Sequence, residues 1–210
     1  MKEHEIIFEA VAAQRAALAD TLEGLTPEQL ATPSLCAGWS VHDVAAHLTM
    51  LWSVPLHRMV WRITKARGSF PKAVDHLTRE AARQPIGHII EQLRANAHNR
   101  KHPPGLPPAP LTDVIVHGED IRQPLGLKGE VPLPAVRVAL DFVTSGRDRS
   151  TFVHRGRLQG LRLVATDQDW SWGRGELIAG PSLPLLLAVM GRPVALDELR
   201  GSVGVLVARL

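Results

Sequence analysis

Apolar residues along the first two dozen positions recur at helical spacing: Ile6, Ile7, Ala10, Val11, Ala13, Ala17, Leu18 and Leu22. That period predicts a helix from Glu3 to about Gly24, a residue placed to end it. Thr26 and Pro27 supply an N-cap and a first-turn proline for a short second helix. After a loop from Ala31 to Trp39, Ser40 stands as the next N-cap, and Asp43 imitates a capping box with a shorter arm. The helix opened there is read from Val41 through Leu51 and onward, with a break near Pro55, toward Trp61 and Ala66. Pro71 to His76 lead into a third helical stretch with Leu77, Ala81, Ile86, Ile89, Ile90 and Leu93 as its apolar positions. The run Pro103 to Pro110 reads as a stiff extended connector. A fourth helix starts at Pro110 or Leu111 and reaches about Gln123, where Pro124 and Gly126 stop it, and a further helix covers Pro134 to Thr144.

After Gly146 the pattern changes. Leu158 to Thr166 reads as a strand, Asp167 to Asp169 as a turn, and Trp170 to Trp172 as a returning strand. Pro181 and Ser182 then introduce an apolar helix from Leu183 to Met190, ended by Gly191 and Pro193. The chain is therefore expected to be mainly α, a helical bundle over residues 1–148 followed by a small α+β domain over 149–210.

Composition narrows the classes. The chain has 210 residues, 45% hydrophobic and 21% charged, ordinary for a globular protein. No stretch approaches the roughly 20 apolar residues that span a bilayer, and the N-terminus lacks the regions of a signal peptide. A cytoplasmic location with no membrane partner is expected. The net charge is only +3, and all of that excess lies after residue 148, where Arg149, Arg155 and Arg157 follow Arg147. With 4% aromatics and no tyrosine, a stacking surface for nucleic acid is poorly supplied, so no nucleic-acid partner is expected. A solvated basic patch or a pocket for a small anion fits better. The one cysteine, Cys36, excludes an intrachain disulfide and is read as structural, so thiol chemistry would come from a bound cofactor.

On a wheel of 100° per residue, Leu111, Val114, Ile115, Gly118 and Ile121 form the core side of the fourth helix. Asp113, His117 and Asp120 form a second stripe beside it. Two potential ligands four residues apart stack on successive turns and can reach one ion. On the second helix His47 lies at the edge of the stripe Val41, Val44, Ala45, Leu48, Leu51 and Trp52, while His42 lies on the opposite flank. A His/Asp/His set with a position left open is the arrangement of a catalytic metal site, and its donors suit zinc, nickel, iron or manganese. The residues alone leave plainer readings open. His47 can donate to a carbonyl, Asp113 can complement the helix dipole, and Asp120 can orient a ligand or make an ion pair with Arg122. The pair His98 and His102 has the same spacing but sits in a basic run with no apolar stripe, and is set aside. Arg192 either steers a carboxylate or thiol cofactor or serves the carbonyls that end the Leu183–Met190 helix. Trp170 and Trp172 share a strand face, for core packing or for a pocket wall.

The stretch from Leu35 to Leu48, with Gly38-Trp39-Ser40-Val41 and Asp43-Val44 before His47-Leu48, resembles a signature of the mycothiol-dependent maleylpyruvate isomerase family. Asp113 to Gly126, an acid, His117, Asp120-Ile121-Arg122 and Leu125-Gly126, is similar to its second signature, and Gly191-Arg192-Pro193 extends the likeness toward the C-terminus. The resemblance implies a DinB-like up-down four-helix bundle and a divalent metal, zinc first, held by His47, Asp113 and His117. Where the family's isomerase has Glu, this chain has Asp113, one methylene shorter. It further implies mycothiol as thiol cosubstrate and a small electrophilic substrate, isomerised or given the thiol, in a monomer or homodimer. The alternative is a non-catalytic protein of the same fold that holds a metal or a small ligand.

Overall fold

The computed structural model of the chain describes residues 2–145, 153–154 and 156–209. They form a mainly helical protein with a small sheet near the C-terminus, in two compact units. The first comprises Met1–Pro103 with His117–Gly129, the second Pro104–Val116 with Glu130–Leu210. No described helix is long and apolar enough to cross a membrane.

In the first unit, α1 (Lys2–Glu23) packs against α7 (Ile86–Ala95). Its buried stripe is Ile7, Phe8, Val11, Ala12, Leu18, Ala19 and Leu22, joined by the polar Gln14 and Arg15, whereas Ile6, Ala13 and Ala17 face out. The reason is Arg15. Its Nη1 donates to the carbonyls of Asn96, Ala97 and Asn99 at 2.9, 3.3 and 2.9 Å, beyond the last turn of α7, and its guanidinium lies 4.8 Å from the Trp52 ring centre. Carbonyls without intrahelical partners thus draw a cation into the core face.

The caps form where the residue types place them. Thr26 and Gln29 close a capping box at α2 (Pro27–Ala31). At α3 (Val41–His47), Ser40 Oγ accepts from the Asp43 N–H at 3.1 Å while Asp43 Oδ2 accepts from the Ser40 N–H at 2.8 Å, so the shorter acid still reaches. The helix expected to run from Val41 to Leu51 ends instead at His47. Thr49 Oγ1 donates to Ala46 O at 2.8 Å and its N–H bonds the same carbonyl, which tightens the chain out of α-helical register. Helix resumes as α4 (Met50–Ser53) and, after Pro55, as α5 (Leu56–Lys65). The third stretch likewise divides into α6 (Phe70–Ala81) and α7, because Pro85 carries no N–H to continue the ladder. α3 packs on α6 and α7, and α5 on α6.

Residues 103–108 turn rather than extend, with Ala109 N–H reaching Leu106 O at 3.1 Å, so the proline run is a compact approach to α8 (Ala109–Arg122) and not a rod. A 3-10 turn, Gln123–Leu125, follows. Gly126 at φ 65° then reverses the chain in the left-handed conformation open to glycine.

In the second unit, α9 (Leu133–Thr144) packs against α10 (Ser182–Val189). The helix that the sequence grouped with the bundle thus belongs with the C-terminal elements, and the boundary expected near residue 148 lies outside the described residues. The sheet has the order β2-β1-β3-β4, from β1 (Leu161–Ala165), β2 (Ser171–Gly173), β3 (Glu176–Gly180) and β4 (Arg200–Gly201). β1 and β2 are the expected antiparallel pair, with Leu163 opposite Trp172. β3 runs parallel to β1, Leu163 opposite Ile178, and was not read from the sequence. α10 is buried almost all round over this sheet. Ser182 at its first turn donates through N and Oγ to the Asp167 carboxylate, giving the expected turn residue a capping role. A short α11 (Val203–Val207) follows β4.

Candidate metal centre

α8 is buried along nearly its whole length, and Asp113 and His117 are the two residues in it that are not. They stand one turn apart on the same face, so the helix offers a carboxylate and an imidazole together at the one strip where it is not covered. His47, the last residue of α3, meets this strip. The His47 and His117 ring centres are 4.8 Å apart and near perpendicular, at 71°. One donor atom from each of His47, Asp113 and His117 lies within 4.8 Å of the others. Tetrahedral ligands with bonds near 2 Å stand about 3.3 Å apart, a gap that side-chain rotation closes.

The far nitrogen of each ring is already directed. His47 Nδ1 is 3.2 Å from Thr78 Oγ1, and Thr78 spends its own proton on Met50 Sδ at 3.3 Å. The hydroxyl is therefore the acceptor and His47 Nδ1–H the donor. His117 Nδ1 is 2.8 Å from Asp120 Oδ2, a carboxylate with no solvent exposure. Again Nδ1–H donates, the carboxylate–histidine arrangement that fixes tautomer and orientation in metal sites. Two imidazoles and one carboxylate, half-buried, are a donor set that fits a divalent ion of the zinc type.

The loop before α3 closes over this centre. Pro33 and Ser40 form an isolated antiparallel bridge, Ser34 Oγ donates to Trp39 O at 2.8 Å, and the Leu35 N–H reaches Asp120 O at 3.2 Å. The Trp39 ring is set 5.1 Å from His47, and Cys36 Sγ comes 3.0 Å from Asp120 Oδ2 and 3.6 Å from His117 Nδ1.

Residues 11–106 match the family model of the mycothiol maleylpyruvate isomerase N-terminal domain. Over those residues the chain is similar to that family's N-terminal domain. A crystal structure of a mycothiol-dependent maleylpyruvate isomerase has the same fold, with a TM-score of 0.64 at 14% identity over 96% of this chain and 93% of the other. A histidine-to-alanine mutant of that isomerase gives 0.63 at the same identity and coverage. No curated protein matches the chain.

Of the residues that the sequence singled out, the structure brings His47, Asp113, His117 and Asp120 together. The ion pair of Asp120 with Arg122 is replaced by a different one. Arg122 donates to Glu119 Oε1 through Nε at 3.0 Å and Nη2 at 2.8 Å, and Gln123 Nε2 donates to Glu119 Oε2 at 2.9 Å. Helical phasing explains the exchange, since Glu119 and Arg122 share a face that Asp120 does not. Cys36, read as structural, stands beside Asp120 and His117. Its spacing carried no signal, because the loop and not a helix brings it there. Arg192 Nη1 donates to Met190 O at 2.7 Å, beside Arg157, whose Nη1 donates to Val189 O at 3.1 Å. Both serve the carbonyl end of α10, and burial together with the Arg192 charge pushes the Arg157 guanidinium down. Of the basic cluster, Arg147, Arg149 and Arg155 lie outside the described residues. Trp170 is buried and donates to Asp141 Oδ1 at 2.8 Å, which makes it core. His98 is exposed, His102 Nδ1 meets Pro103 O at 2.8 Å, and His42 Nε2 meets Gln84 O at 3.0 Å.

Trp39 is itself held by Asp75, whose Oδ1 accepts from the indole N–H at 2.8 Å. That donor, with help from Arg79, holds the Asp75 carboxyl below the usual carboxylate range. A depressed folded pKa contributes stability above the unfolded value of about 3.9 and loses it as pH falls through the folded value. Asp75→Asn is expected to flatten the loss of stability as pH falls below about 4, modestly because the side chain is 41% exposed. Denaturation midpoints across that window test this, and parallel curves for the two proteins would contradict it.

Proposed function

We propose that this chain is a divalent-metal-dependent enzyme that uses mycothiol, isomerising or transferring the thiol to a small electrophilic metabolite or xenobiotic. The convergence of His47, Asp113 and His117, with both Nδ1 atoms already engaged, carries this reading, and the likeness to the mycothiol maleylpyruvate isomerase family supports the thiol. The helical part is read as a DinB-like up-down four-helix bundle with the centre between its helices. A divalent ion here, zinc first by donor type, supplies Lewis acidity that lowers the pKa of a thiol and leaves it nucleophilic near neutral pH.

The chain's own residues do the rest. Thr78 and Asp120 fix the two imidazoles, so the ligands are set before substrate arrives. Asp113 sits one methylene further back than a glutamate would and leaves more room at the open position. Trp39 provides an apolar wall beside His47 that excludes water from one side of the site.

Purified protein is expected to retain a divalent metal, measured by elemental analysis, and His47→Ala is expected to lose it with the circular dichroism spectrum unchanged. The metal-loaded protein should consume mycothiol or isomerise substrate in a screen of small electrophiles. Failure to retain or take up any metal would sink the metal half of the proposal. Inertness of the loaded protein across the screen would sink the enzymatic half and leave a ligand-holding role.

A further inference from the structure

We infer that Cys36 is a positioning residue of this centre, its thiol helping to hold the Asp120 carboxylate that orients His117. The inference rests on the reading of His47, Asp113 and His117 as the ligands, and adds a residue that neither the ligand set nor the helix wheel contains.

The atoms are few and close. Asp120 Oδ2 accepts from His117 Nδ1–H at 2.8 Å and from Cys36 Sγ–H at 3.0 Å, and Sγ stands 3.6 Å from Nδ1. The two donors thus converge on one oxygen of a carboxylate that water does not reach. A buried carboxylate depends on such donors for both its charge and its direction. The direction matters here because the Oδ2 position sets the plane of the His117 ring, and the ring plane aims Nε2.

The thiol is not placed by chance packing. Ser34 Oγ accepts from the Cys36 N–H at 3.1 Å and donates to Trp39 O at 2.8 Å, which turns the loop back on itself. The neighbouring Leu35 N–H bonds the main-chain carbonyl of Asp120 at 3.2 Å. Backbone and side chain of residues 35 and 36 therefore hold the backbone and side chain of a single residue on α8. The loop and the ligand-bearing helix are coupled at Asp120, one turn from His117.

Sulfur is a weak donor, so a hydroxyl in the same place should preserve the arrangement and a methyl should not. Cobalt(II) titration of the full chain, stripped with a chelator, reads this. The wild type is expected to show the visible bands of low-coordinate cobalt without the intense near-ultraviolet band of a cobalt–thiolate bond. Cys36→Ala should bind cobalt about tenfold more weakly, the low end for outer-shell partners, with shifted visible bands. Cys36→Ser should stay within about twofold of wild type, the donor being retained. In a double-mutant cycle with Asp120→Asn, the Cys36→Ala effect should largely vanish, since both act through one oxygen.

Identical affinity and spectrum in wild type and Cys36→Ala would overturn the inference while leaving the ligand set intact. A thiolate band lost in Cys36→Ala would overturn it differently, by making Cys36 a ligand. Absence of any cobalt spectrum in the wild type would remove the reading of the centre itself, and the inference with it. Should Cys36→Ala fail to fold, Cys36→Ser and Asp120→Asn carry the same comparison.

Discussion

His117→Ala is expected to empty the metal centre. Zinc sites are worth about 10–16 kcal/mol; spread over three protein ligands this puts about 4 kcal/mol, or about a thousandfold in affinity, on each. His117 has a second role, because its Nδ1–H is one of the donors on the buried Asp120 carboxylate. Losing a donor to a buried charged group adds about 1–3 kcal/mol of destabilisation. The variant should therefore lose metal and also melt earlier, whereas His47→Ala, whose far nitrogen meets only the neutral Thr78 hydroxyl, should lose metal with a smaller stability change. Metal content and denaturant titration on both variants give the comparison. Retention of metal by His117→Ala at the wild-type level would contradict the ligand assignment.

The second large effect lies one face over on the same helix. Arg122 and Glu119 form an ion pair with side chains 4% exposed, and Gln123 completes it on the second oxygen. The space for the guanidinium is made by two glycines: a Cβ at Gly118 or Gly129 would collide with it. Arg122→Ala strands the Glu119 charge in the interior, and breaking a buried pair from one side costs about 3–5 kcal/mol. Urea denaturation is expected to show that loss. The double replacement Glu119→Leu/Arg122→Leu should recover most of it, because no charge is then left buried and unpaired. A single-variant loss below about 1 kcal/mol would place the pair in the weak class of surface bridges.

Several features of the centre were legible in the chain itself. That Asp113 and His117 share a face follows from helical phase, since positions four apart do so whatever the helix packs against. The Ser40 and Thr26 caps are local as well, each closing within three residues. The break at His47 was less legible. It depends on the Thr49 hydroxyl competing for Ala46 O, a choice that the apolar stripe Val41 to Leu51 does not reveal. The break has a consequence for the site, since it makes His47 a terminal residue facing α6.

Cys36 and Thr78 show why the rest was hidden. Cys36 and Asp120 are 84 residues apart, and His47 and Thr78 are 31 apart. No periodicity spans those distances. Arg15 makes the same point in the core, where a charged residue on the apolar stripe of α1 is explained only by the carbonyls beyond α7. β3 is a parallel neighbour of β1, and a parallel partner is chosen by the sheet rather than by an adjacent turn.

By itself the sequence determined most of the helices, their caps and the face that Asp113 and His117 share, because these obey rules acting over one or two turns. Tertiary structure alone decided which loop meets that face and that the far nitrogen of His47 is tied to Thr78. These are contests between groups distant in the chain, settled by burial: a polar group removed from water is held by whichever partner the fold brings within hydrogen-bond reach.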